Sequence, residues 1–97
     1  MDLRGRLAVP GFIDNHVHFV SGGLQLSRVQ LRDAASADEF VRRIAEHART
    51  LDANRWITGG GWDEQRWTPY ALPTRQLIEN IANPVFLARA DMHMALA

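Results

Sequence analysis

The amino-acid sequence predicts an α/β chain in which strands alternate with helices. Three observations carry this reading. A helix with a strong start signal follows Ser36. Short apolar runs at residues 12–18, 55–58 and 84–88 have the length and composition of strands. Histidines and glycines gather at the ends of those runs, where parallel sheets and barrels keep their sites. The chain has 97 residues, 46% of them apolar and 23% charged, a composition that suits one small folded domain rather than a disordered segment.

Taken in order, residues 1–8 read as the tail of a strand and a turn, with Gly5 as the turn residue. Pro10-Gly11 punctuates, and residues 12–18 form the first strand, broken by Ser21-Gly22-Gly23. Residues 24–27 suit a short helical turn, and residues 28–32 alternate like a second, short strand. Ser36-Ala37-Asp38-Glu39 is a capping box, in which the hydroxyl caps the helix and the glutamate reaches back to the cap amide. The helix that follows extends to about Leu51. Phe40, Val41, Ile44, Ala45, Ala48 and Leu51 fall on one arc, with Arg42, Glu46 and Arg49 opposite.

Residues 55–58 form a further strand, ending in Gly59-Gly60-Gly61-Trp62-Asp63. After a loop, Pro73-Thr74 opens a shorter helix with Leu77, Ile78 and Ile81 on one face. Residues 84–88 are a near-continuous apolar run, as in a strand covered on both faces. It ends in Arg89-Ala90-Asp91-Met92-His93. The last residues carry no cap or stop signal, so the expectation is a piece of a longer protein.

Composition narrows the function classes. The 11 basic and 11 acidic residues cancel, so there is no electrostatic case for nucleic acid or an anionic membrane. Every basic residue is Arg, which removes a lysine nucleophile, Schiff base or P-loop from these residues. The absence of Cys removes thiolate metal sites and disulfides. No apolar run approaches the roughly 18 residues of a spanning helix, and the start lacks a signal-peptide core. A cytoplasmic location is the default expectation.

The central candidate is Asp14-Asn15-His16-Val17-His18. In a strand, His16 and His18 project to one side with Asp14 in line below them, and two converging imidazoles can hold one divalent ion. Asp14 either orients a ligand histidine or bonds to nearby backbone. The glycine triplet fails the dinucleotide and P-loop patterns and reads as a tight bend close to a pocket. Trp62 and Asp63 beyond it either line the mouth of the site or serve as a core residue and a cap. His93 ends its strand as His18 ends the first, and is either a substrate contact or further metal ligand, or a solvent-facing loop histidine. His47 borders the apolar arc of the helix and is read as packing. Trp56 and Trp67 are read as core and loop packing.

The stretch from Val9 to His18 resembles the first-strand signature of the metal-dependent amidohydrolase superfamily. Gly59 to Asp63, Pro73-Thr74-Arg75 and Arg89 to His93 are similar to the branch that includes N-substituted formamide deformylase. Met92 stands where relatives often have Gly. The resemblance implies a (β/α)8 TIM-type barrel, of which this chain would be the N-terminal, incomplete part. Residues 1–8 would end a small β-domain, and residues 9–97 would form the first βα units. It implies hydrolysis of carbon–nitrogen bonds other than peptide bonds in a small-molecule substrate, through a metal-activated water. His16 and His18 match the first two metal ligands. One or two divalent ions are expected, zinc foremost, with the other ligands and the general base downstream. A chain without those ligands would be inactive alone, and a non-catalytic scaffold of the same fold is the alternative.

Overall fold

The computed structural model describes residues 4–97. In chain order its elements are helix α1 (Phe19–Leu26), strand β1 (Val29–Gln30), helix α2 (Ala37–Ala48), strand β2 (Ile57–Trp62), 3-10 turns at Glu64–Arg66 and Arg75–Ile78, strand β3 (Val85–Arg89) and strand β4 (Ala95–Leu96). The strands form one sheet in the order β1-β2-β3-β4. The first three are parallel, and β4 runs antiparallel to β3. The alternation of strands and helices is therefore present, with α2 as the crossover between β1 and β2.

Helix α2 forms as its local chemistry dictates. The Glu39 N–H donates to Ser36 Oγ at 3.1 Å, and Glu39 Oε2 accepts the Ala35 N–H at 3.0 Å. The glutamate thus reaches one residue further back than the cap itself. Phe40 and Ile44 are fully buried, while Arg42 and Glu46 pair on the outer side at 2.8 Å. The helix ends at Ala48, and a tighter turn carries the chain on to Leu51. Replacing Ser36 with Ala is expected to cost about 1 kcal/mol by orphaning the Glu39 N–H, read as a lower urea midpoint.

One face of the sheet packs on α2 and the second 3-10 turn. Val29, Leu31, Ile57, Val85 and Leu87 are buried there with Phe40, Ile44 and Ile78. The shorter helix expected after Pro73 is reduced to the 3-10 turn at Arg75–Ile78, which buries Ile78 and partly covers Leu77 and Ile81. Strand β3 is covered on one face among the described residues. Val85 and Leu87 are buried while Phe86 between them is 52% exposed.

The glycine triplet lies inside β2 rather than beyond it. The β2–β3 register runs Gly60 to Ala88, then Trp62 to Arg89, so Gly61 is the extra residue of a bulge. All three glycines have positive φ, from 72° to 120°. Strict alternation places Trp62 on the same side as Thr58 and Gly60. The bulge reverses it, and Trp62 turns into the core against Phe40.

The largest departure from expectation is residues 12–18. They form no strand and are fully exposed to half-exposed, Phe12 at 100% and Ile13 at 95%. A strand needs a neighbour for its backbone groups, and no element of residues 4–97 pairs with this segment. Asp14 instead closes a local turn, its Oδ1 accepting the His16 N–H at 3.0 Å. Ser21, Gly22 and Gly23 do not break the chain, because they lie within α1. Arg4-Gly5 forms the turn expected at Gly5, and the part of the expected strand end on residues 1–3 lies outside the described residues.

Candidate functional site

His16 and His18 lie next to each other without the strand that was expected to align them. Their ring centroids are 5.1 Å apart in an edge-to-face arrangement. Both rings are exposed, and His18 occupies the cap position of α1, its carbonyl accepting the Gly22 N–H at 2.8 Å. The helix start therefore anchors one end of the pair and the Asp14 turn the other. Two unprotonated ring nitrogens are a donor set suited to a divalent ion. Among the described residues, no third His, Asp or Glu joins them in a group able to hold a metal.

The same local device recurs at His93. The Asp91 carboxylate accepts the His93 N–H at 3.0 Å, as Asp14 does for His16. Met92 between them has φ of 63°, a left-handed conformation that glycine adopts at less cost. His93 thus stands on a tight, carboxylate-closed turn just past β3.

That turn is tied to a buried ion pair. Arg89 closes two hydrogen bonds on Glu64, Nε to Oε2 at 2.9 Å and Nη2 to Oε1 at 2.5 Å. Its Nη1 donates to Asp91 Oδ2 at 2.6 Å. Glu64 is 1% exposed, so the fork supplies what water no longer can. The guanidinium hydrogen bonds hold the Glu64 carboxyl below its ordinary range, against the opposing effect of burial. Asp91 is lowered too, first by the His93 N–H and then by the charges around it.

These shifts set an acid limb. A carboxyl whose folded pKa lies below its unfolded value contributes stability above the unfolded value, here near 4.5 for Glu64, and loses it as pH falls through the folded pKa. Unfolding stability is therefore expected to decline as pH falls below about 4.5, and less steeply in Glu64→Gln, which has no proton to take up. Denaturant titrations from pH 7 to pH 3 check this.

Trp62 packs in the core and Asp63 closes a local turn. Trp62 is 1% exposed, and the Asp63 carboxylate caps the first 3-10 turn, accepting the Gln65 N–H at 3.1 Å. Glu64 was missed because a glutamate in a polar loop gives no sign of burial. Its partner lies 25 residues away.

A sheet with three parallel strands and a crossover helix between the first two defines an α/β protein. The match to the amidohydrolase family covers residues 1–97, and the chain belongs to that family. It is 43% identical over its whole length to Protein LONG AFTER FAR-RED 3 of Arabidopsis thaliana, covering 17% of that protein. It is 31% identical over its whole length to N-substituted formamide deformylase of Arthrobacter pascens, covering 19% of it. In structure, 89% of the chain matches 17% of an uncharacterized metal-dependent hydrolase from Pyrococcus furiosus, with a TM-score of 0.62 and 35% identity. The chain thus spans less than a fifth of the length of these relatives. No helix among the described residues is long and apolar enough to cross a membrane.

Proposed function

We propose that residues 1–97 are the N-terminal part of a metal-dependent amidohydrolase that cleaves carbon–nitrogen bonds other than peptide bonds in a small-molecule substrate. In this reading residues 1–8 end a small β-domain and residues 9–97 begin a (β/α)8 barrel. The observation that carries it is the adjacent pair His16 and His18, 5.1 Å between rings, within a chain of this family. Their ring nitrogens would hold a divalent ion, with zinc the expected one. When bound, such an ion supplies Lewis acidity and an activated water at neutral pH.

The chain's own residues do the rest. Asp14 fixes the backbone that presents His16, and α1 fixes His18. Asp91, braced by Arg89 and Glu64, holds the turn that presents His93 to substrate or to the ion. The bare sheet face around Phe86 would form part of the barrel interior. The carboxylate that moves the proton belongs to the rest of the barrel, so residues 1–97 alone would show no turnover. The full-length protein would act in the cytoplasm on a small molecule, without nucleic acid or membrane as a partner.

The test is turnover of a panel of N-substituted formamides by the full-length protein before and after treatment with a chelator. The expected result is loss of turnover on chelation and recovery on adding zinc. Turnover that ignores the chelator would contradict the reading.

A further inference from the structure

A cleft of about 150 Å³ opens beside the C-terminal halves of the parallel strands. The glycines of β2 and residues Ala88 to Ala90 form part of its lining. The side chains around it are unbalanced in charge. Arg28, Arg32 and Arg89 line it, and no Asp or Glu does. Arg89 is committed to Glu64 and Asp91. Arg28 and Arg32 make no ion pair among the described residues.

Alternation explains why both arginines face the cleft. Val29 and Leu31 turn into the core, at 4% and 0% exposure. Arg28, Gln30 and Arg32 are therefore left on the opposite side. Acceptors near the end of α1 are neutral amides, carbonyls and a hydroxyl, so they leave the charge of the two arginines uncompensated. The Gln30 side-chain amide donates to the carbonyls of Gln25 and Arg28, and the Ser27 hydroxyl donates to that of Leu24.

The glycines keep the space open. A Cβ on Gly59 would lie 2.9 Å from the Arg28 Cβ and 2.7 Å from the Val29 carbonyl oxygen. Any side chain there would displace the strand that carries both arginines.

We propose that this cleft binds the oxyanion of a small molecule, a carboxylate or a phosphate, between Arg28 and Arg32. Planar guanidinium forks match the paired oxygens of either group. If the hydrolase reading holds, on which this assignment rests, the anion is part of the substrate and the cleft selects substrates with an acidic tail.

The test is calorimetric titration of the full-length protein at low ionic strength with inorganic phosphate and, separately, with acetate. Saturable binding of at least one is expected, and the tighter of the two assigns the source. Arg28→Gln and Arg32→Gln should each weaken it by about tenfold or more, the size of a lost charge-assisted hydrogen bond. Arg32→Lys should weaken it less than Arg32→Gln, and Arg55→Gln, outside the cleft, should leave it unchanged. No saturable binding, or equal loss in Arg55→Gln, would overturn the proposal. His16→Ala/His18→Ala should retain anion binding, and its loss there would place the anion on the metal instead. Anion binding that persists in a full-length protein that turns over none of the formamides would retire the hydrolase reading and leave the cleft standing.

Discussion

Phe40→Ala is expected to lower unfolding stability by about 3–5 kcal/mol, the cost of truncating a buried phenyl ring. Phe40 is 0% exposed and is the point where α2 meets the bulged strand. Its ring stands edge-on to Trp62, centroids 6.0 Å apart, and tilted on Trp67 at 5.2 Å. Removing it opens a cavity between two indoles whose N–H groups already have no protein partner. Against a total of about 5–15 kcal/mol for a typical domain, that loss is enough to make folding marginal. Phe40→Leu fills most of the volume and should cost about 1–2 kcal/mol. Urea titrations followed by tryptophan fluorescence separate the two.

Gly60→Ala is expected to be comparably damaging, for a different reason. Its Cβ would lie 2.5 Å from the Ala88 carbonyl oxygen and 3.1 Å from the Ala88 nitrogen. Both are ladder backbone atoms, so relief requires β2 and β3 to separate. The φ of 107° adds conformational strain. Overpacking and backbone strain each cost about 1–3 kcal/mol, which gives a combined loss of about 2–6 kcal/mol. Gly61→Ala is the control. There φ is 72° but the nearest atom, the Arg32 Cβ, is 4.0 Å away, so only the backbone term remains. Thermal melts of the two variants should rank Gly60→Ala well below Gly61→Ala.

What could be read in advance follows the range of the interactions involved. Helix α2 was legible because Ser36, Glu39 and the Phe40–Ile44 stripe act within a few residues of one another. Strand β3 was legible from its apolar run, although only one of its faces is covered among the described residues. The His16–His18 pair was legible as well, since residues two apart stay close with or without a strand. Residues 12–18 looked like a strand because their apolar side chains demand cover, but cover is a property of other residues. The bulge at Gly61 and the resulting inward turn of Trp62 depend on the register with β3. Glu64 acquires its burial and its partner from Arg89, far along the chain. No local pattern encodes that meeting.

The central claim is that His16 and His18 are metal ligands of an amidohydrolase. Its most direct test is the divalent metal content of the purified full-length protein beside that of His16→Ala/His18→Ala, each confirmed as folded by circular dichroism. Loss of the bound metal in the double variant, with the fold retained, is the result predicted. Equal metal content in the two proteins would contradict the assignment.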